Sequence, residues 1–78
     1  MIRPSLTPDL LLRAGRALYG ARWHTALARD LGISERMIRF MLAGERGISP
    51  DYAGWLVDIV RARQADLNDV IRDLSRQP

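Results

Sequence analysis

Apolar residues recur at steps of three and four along most of this chain, which is the spacing of amphipathic helices. The first such stretch follows residues 7–9, a threonine, a proline and an acid that match the start of a helix. Its apolar positions are Leu10, Leu11, Ala14, Ala17 and Leu18. We expect a helix to about Tyr19, ended by Gly20, with Gly15 allowing another helix to approach closely. Residues 1–6 are expected to form a short, partly ordered arm.

Residues 24–43 have the pattern of two short helices joined by a glycine turn. In the first helix, which begins near Trp23, the core-facing positions are Leu27, Ala28 and Leu31. Gly32 supplies the left-handed backbone of a helix C-cap. Ser34 is the expected N-cap of the next helix, and Glu35 suits the positive end of its dipole.

The second of these helices has two different faces. One face is apolar and is expected to lie in the core: Met37 at its border, Ile38, Met41 and Leu42. The opposite face carries two guanidinium groups, an aromatic ring and a small residue: Arg36, Arg39, Phe40 and Ala43. This outer face makes the helix a candidate for reading DNA.

The turn and its two helices resemble the helix-turn-helix of the repressor-like (Xre/Cro/C1-type) transcriptional regulators of bacteria and phages. The matching small, glycine and apolar positions are Ala28, Gly32, Ile33, Ile38 and Met41. The resemblance covers about residues 24–46, and members of this family often carry arginine and tryptophan where Phe40 and Met41 stand. It implies an all-α fold, a small bundle of four to five helices that contains the helix-turn-helix and a long C-terminal helix.

The resemblance also implies that the second helix of the motif enters the major groove of DNA. The residues expected to contact bases are Glu35, Arg36, Arg39, Phe40 and Ala43. Those expected to contact phosphates are Arg22, His24, Thr25, Ser34 and Arg46. Arg36 and Arg39 are the best base readers, because a guanidinium can donate two hydrogen bonds to guanine.

These assignments have plainer alternatives. Arg36 and Arg39 can be solvated or bound to phosphate, and Glu35 can hold Arg39 in an ion pair four residues apart on the helix. Phe40 can tuck under the loop that follows, and His24 can be an ordinary surface histidine.

The longest helical stretch opens at residues 49–51 with a serine, a proline and an acid, and runs to about Ser75. Its near half is expected to close the core through Trp55, Leu56 and Ile59. Both tryptophans, Trp23 and Trp55, are expected in the core or in an interface.

The far half of this stretch needs another partner. A straight helix over residues 50–75 would be about 39 Å long, longer than the rest of a domain this size is wide. We expect residues 64–76 to form a dimerisation extension that packs on the same helix of a second subunit through Leu67, Val70, Ile71 and Leu74. The alternative is a break near Gln64 that folds residues 65–75 back onto the first helix.

Length and charge add two expectations. A chain of 78 residues predicts one domain, 1–78, which is marginal alone and gains from dimerisation. Residues 1–49 carry eight arginines against four carboxylates, a net charge of +4, whereas residues 50–78 carry four arginines against five aspartates, a net of −1. Because basic charge drives DNA affinity through counterion release, this asymmetry favours an N-terminal half that faces nucleic acid.

Composition narrows the classes of function. The absence of cysteine excludes disulfides, thiol catalysis and thiolate metal sites. A single histidine, no clustered carboxylates and no glycine-rich phosphate loop predict neither an enzyme nor a metal or cofactor site, and no small-molecule effector site is evident. Without a membrane-spanning stretch or a signal-peptide core, we expect a cytoplasmic protein with no membrane partner.

The sequence therefore predicts a dimeric repressor that binds double-stranded DNA at an inverted repeat, with half-sites about 34 Å apart. Its own promoter is one expected target, as for compact phage, plasmid and antitoxin-type regulators of the family it resembles. The alternative is a helical interaction module, such as an antitoxin or adaptor, that grips a partner through the acidic amphipathic stretch at residues 66–73.

Overall fold

A computed structural model describes residues 6–44 and 48–76 of the chain. Within these two ranges all regular structure is helical: three helices precede one long C-terminal helix. The helices are α1 (Pro8–Tyr19), α2 (Trp23–Leu31), α3 (Glu35–Ala43) and α4 (Pro50–Ser75), and a 3₁₀ turn (Gly20–Arg22) joins α1 to α2. The all-α class and the long C-terminal helix are confirmed.

Short polar side chains begin three of the helices as the sequence predicts. The Thr7 hydroxyl accepts a hydrogen bond from the Leu10 amide at 3.1 Å, and the Ser34 hydroxyl accepts one from the Met37 amide at 3.0 Å. Ser49 accepts from Asp51 at 3.3 Å at the start of α4. Each bond satisfies an amide that has no partner within its own helix.

The core lies where α1, α2 and α3 meet the first turns of α4. Its buried apolar residues are Leu6, Leu11, Leu18, Trp23, Leu27, Ala28, Ile38, Met41, Ala53 and Leu56. Leu6, the last residue of the expected partly ordered arm, packs its side chain into this cluster. Residues 1–5 lie outside the described residues.

Trp23 is the largest side chain of the core and packs against α1 at Gly15. A Cβ placed on Gly15 would overlap three carbons of the Trp23 indole. Close approach at Gly15 is therefore confirmed, and the approaching group is the first side chain of α2.

Trp55 is not a core residue. Half of it is exposed (50%), and its ring packs edge-on against Tyr52 with the centroids 5.3 Å apart. The inward face of α4 is instead formed by Ala53 and Leu56, which are buried, with Ile59 partly buried beside them. Trp55 lies about 100° around the helix from the buried Leu56, and this direction turns its side chain half outward.

Arg63 ties α4 to the end of α1. Its Nη1 donates a hydrogen bond to the Leu18 carbonyl oxygen at 2.9 Å, and its guanidinium lies 5.6 Å from the centre of the Tyr19 ring. The last carbonyl groups of a helix find no amide donor within the helix. Arg63 therefore supplies the donor that the Leu18 carbonyl lacks. Spacing along the sequence does not reveal this contact, because Arg63 and Leu18 are 45 residues apart.

Tyr19 joins the end of α1 to the end of α2. Its hydroxyl donates a hydrogen bond to the Asp30 carboxylate. Burial, and then the Asp30 carboxylate that holds the phenolic proton, raise the pKa of Tyr19 from 10.0 to about 12. The hydroxyl is thereby held in its protonated form.

Beyond Arg63, α4 continues without interruption to Ser75 and leaves the rest of the protein. The described residues span 53 × 33 × 20 Å, an elongated shape that reflects this projection. A break near Gln64 with a fold-back onto α1 is therefore wrong, because neither glycine nor proline interrupts the helix after Gly54. In the two described ranges, none of the helices is both long and apolar enough to cross a membrane.

Candidate nucleic-acid interface

The two faces of α3 have opposite environments. Ile38 and Met41 are buried in the core, and Leu42 is half-buried. Arg36, Arg39 and Ala43 are exposed, and Phe40 has 41% of its surface exposed. Met37, which is predicted at the border of the apolar face, is 39% exposed and is not part of the buried core.

The turn between α2 and α3 fixes the direction of α3. Gly32 adopts the left-handed conformation (φ 72°, ψ 32°), which ends α2. The next amide, of Ile33, donates to the Ala28 carbonyl at 2.9 Å, and the Ile33 side chain packs against the core. Ser34 then caps α3, so this turn holds the outer face of α3 toward solvent.

Five of the predicted contact residues meet in one shallow cleft between the starts of α2 and α3. The cleft is lined by Ala21, Arg22, His24, Thr25, Glu35 and Arg39. Residues on both sides of the turn thus share one surface, as the expected combination of base and phosphate contacts requires.

Thr25 and Glu35 bridge this cleft. The Thr25 hydroxyl donates to Glu35 Oε1 at 2.6 Å, across ten residues of sequence. Glu35 is thus bonded to α2, not to Arg39 as the ion-pair alternative proposed. Sequence spacing gives no signal for this contact, which depends on the angle between the two helices.

His24 is held at the edge of the cleft by Trp23. The two rings stack with centroids 4.0 Å apart and planes inclined by 25°. Because the indole is buried, this stacking restricts the imidazole and leaves it partly exposed beside Arg22.

The arginines of α3 and of the cleft make no ion pair within the described part of the chain. There, the carboxylate partners within 4 Å belong to Arg29, which meets Asp30, and to Arg72, which meets Asp69 and Asp73. Arg22 and Arg39 therefore leave positive charge in the cleft, and Arg36 adds a further charge on the outer face of α3, outside the cleft lining. Arg46 and its loop lie outside the described residues.

The described residues contain no group of three or more histidine, aspartate or glutamate side chains placed to hold a metal ion. Comparisons of the chain with protein-family models, with curated proteins and with solved structures found no significant match.

Proposed function

We propose that this chain is a sequence-specific DNA-binding transcriptional regulator, a dimeric repressor that acts on an inverted-repeat operator. The observation that carries the proposal is the outer face of α3, where Arg36, Arg39, Phe40 and Ala43 are exposed while Ile38 and Met41 fix the opposite face in the core. A short helix held this way by a glycine turn suits insertion into the major groove.

Base reading is assigned to the outer face. Arg36 and Arg39 donate to O6 and N7 of guanine, and the Phe40 ring contacts a thymine methyl group. Ala43 is small enough for the backbone of DNA or a base edge to approach. Each arginine pair with guanine contributes about 1–3 kcal/mol of discrimination against a wrong base.

Phosphate binding is assigned to the start of α2 and the cap of α3. Arg22 supplies the charge, and His24 and Ser34 add donors around it, with Arg46 as a further contact. The one proton of the Thr25 hydroxyl is donated to Glu35, so Thr25 contacts a phosphate as a donor only when that bond opens. These interactions fix the position of α3 on the duplex without reading sequence.

Glu35 has a double role in this proposal. Its carboxylate holds Thr25 at 2.6 Å, which fixes the angle between α2 and α3. A carboxylate has about four acceptor sites, so the same group can also accept the amino group of cytosine.

The test is the affinity for the region upstream of the protein's own gene, measured at several salt concentrations by fluorescence anisotropy. Arg39→Ala is expected to lose about 1–3 kcal/mol of preference for the operator over unrelated DNA. Arg22→Ala is expected to weaken binding to both DNAs equally and to reduce the salt slope by about 1.

The matched control is Arg29→Ala, which removes an arginine of α2 that is exposed, pairs with Asp30 at 3.7 Å and lies outside the cleft. It is expected to leave operator preference unchanged. If Arg29→Ala and Arg39→Ala lose the same amount of operator preference, general charge attraction explains the binding. That outcome would contradict base reading by α3.

A second candidate function is a helical interaction module. It is favoured by the apolar row on the far half of α4, where Leu67, Val70, Ile71 and Leu74 are each at least half exposed. In this reading the chain is an antitoxin or adaptor that binds another protein. Weak DNA binding that ignores sequence, and that Arg36→Ala and Arg39→Ala leave unchanged, would favour it.

A further inference from the structure

An apolar groove runs along the surface between α1 and the near half of α4. Its first part is lined by Leu6, Leu10, Ala14, Ala53, Leu56, Val57, Val60 and Arg61. It continues past Arg13 and Ala17 toward Arg63 and Leu67. Leu10, Val57 and Val60 are substantially exposed along it. A continuous apolar groove of this kind suits the apolar face of a helix.

The far end of α4 has the length and the face that this groove needs. The α4 tail, which we define as residues 64–75, contains 12 residues and is about 18 Å long, the same as the 12-residue α1 that forms one wall. Its apolar row, Leu67, Val70, Ile71 and Leu74, is 51–66% exposed.

The charges of groove and tail are opposite. Arg13, Arg61 and Arg63 lie among the residues that line the groove. The α4 tail carries Asp66, Asp69 and Asp73 along one flank, at steps of three and four, against Arg72 alone, which gives it a net charge of −2. The tail therefore complements the groove in polarity and in charge.

The α4 tail cannot reach the groove of its own chain, because α4 is one continuous helix that forms the other wall. It can reach the groove of a second copy. The helices α1 and α4 run in the same direction, since Leu10 and Ala14 share the groove with Val57 and Val60 whereas Leu18 meets Arg63. In a reciprocal exchange, each tail lies beside the near half of the other copy's α4. The two α4 helices must then run antiparallel.

We propose that the groove of each copy binds the α4 tail of a second copy, in a reciprocal two-fold dimer. In this arrangement Leu74 of one copy lies over Leu10 and Val57 of the other, and Ile71 lies over Ala14 and Val60. The symmetry axis passes near residues 65–66 of both helices. The same surface serves on both copies, as a closed two-fold interface requires.

This inference rests on the proposed dimer and specifies its interface, but it does not depend on DNA binding. It differs from a seam in which two tails pack side by side in parallel. A parallel seam covers the apolar row and leaves the groove open, whereas reciprocal exchange covers both apolar surfaces.

Cross-linking through introduced cysteines tests the arrangement, because the chain has no cysteine of its own. Leu10→Cys and Leu74→Cys place one thiol in the groove and one on the tail, at positions that are already exposed. The two variants, mixed at low concentration with a short bismaleimide, are expected to give a cross-linked dimer. Each variant alone is expected to give little, because the two copies of either residue lie at opposite ends of the interface.

Asp58→Cys is the matched control, since Asp58 is also exposed on α4 but does not line the groove. Mixed with Leu74→Cys, it is expected to give no cross-link. Efficient cross-linking of Leu74→Cys with itself would show that the two tails pack side by side in parallel. It would overturn the proposal that each tail binds in the groove of the other copy. A monomeric mass in light scattering at all concentrations would overturn the groove and the dimer together.

Charge reversal gives a second, independent measurement. Arg13→Glu is expected to weaken dimerisation roughly tenfold or less, and the addition of Asp73→Arg to the same chain is expected to recover part of the loss. Additive losses would contradict the pairing of groove and tail. Affinity for a single half-site, which one copy can occupy, reports separately on the DNA-reading face of α3 when it is measured on the same variants.

Discussion

The indole of Trp23 lies directly against the backbone of α1, and this contact depends on a missing side chain at Gly15. Gly15→Ala is expected to lower the free energy of unfolding by about 1–3 kcal/mol, because the new methyl group overlaps a ring that the packed core holds in place. Urea denaturation followed by tryptophan fluorescence measures the change.

Gly54 provides the matched comparison. It also lies within a helix, but a Cβ at this position meets no atom within 4 Å. Gly54→Ala is expected to raise the free energy of unfolding by about 0.4–1 kcal/mol, because alanine restricts the unfolded chain more than glycine does. Equal effects of the two substitutions would contradict the proposed overlap at Gly15.

The hydroxyl of Tyr19 makes stability depend on pH in the alkaline range. Its pKa is raised to about 12 in the folded protein against 10.0 for the free side chain, so the folded state holds the phenolic proton more tightly. The contribution is complete below pH 10 and is lost as the pH rises toward 12. The stability difference between wild type and Tyr19→Phe is expected to shrink over this range.

The measurement is urea denaturation of both proteins at about pH 8 and about pH 11. Tyr19→Phe leaves Tyr52 in place, so the second tyrosine contributes equally to both curves. Parallel stability profiles for the two proteins would contradict a special role for the bond from Tyr19 to Asp30.

At the scale of elements, the cap of α3 serves both stability and the proposed DNA contact. Ser34→Ala is expected to cost about 1 kcal/mol of stability, because the Met37 amide loses its acceptor. Ser34→Asp is expected to keep the cap and the stability but to weaken DNA binding, because it adds a carboxylate beside the phosphates. Thermal unfolding and anisotropy titrations separate the two effects. Equal DNA affinity of wild type and Ser34→Asp would place Ser34 away from the DNA.

The sequence predicts the helix boundaries well because the signals are local. Thr7, Ser34 and Ser49 each bond an amide two or three residues away, and Gly32 ends α2 by its own backbone conformation. The continuity of α4 past Gln64 was one of two alternatives, and helix periodicity alone does not distinguish between them.

The contacts that the sequence misses join distant parts of the chain. Thr25 meets Glu35 only because of the angle between α2 and α3, and Arg63 meets Leu18 only because α4 runs along α1. The apolar stripe of α4 predicts that Trp55 helps to close the core, but its place around α4 turns it half outward. Such errors arise because periodicity identifies an apolar stripe without fixing its width.

At the scale of the whole molecule, the proposed dimer predicts a stability that depends on concentration. The Tm of the wild type is expected to rise with protein concentration, because dissociation accompanies unfolding. In the double variant with Leu67→Glu and Ile71→Glu, the Tm is expected to become independent of protein concentration. The monomer is still expected to fold, because both positions are already more than half exposed.

Asn68→Glu is the control for this pair, since it adds one of the pair's two negative charges to the α4 tail, at an exposed position off the apolar row. It is expected to leave the concentration dependence in place. Loss of the dependence in Asn68→Glu as well would attribute the effect to net charge and not to the apolar row.

Because α4 is uninterrupted, its length sets the distance between the two halves of the proposed dimer. One alanine inserted after Gln64 would turn the tail by about 100° and move its apolar row off the partner's groove. Seven inserted residues would return the row to within about 20° of its direction and move the two halves of the dimer about 10.5 Å further apart. The two α3 helices would then no longer match half-sites one turn of DNA apart, so operator affinity is expected to fall. The fit between dimer and operator would thus depend on the number of residues between the groove and the tail.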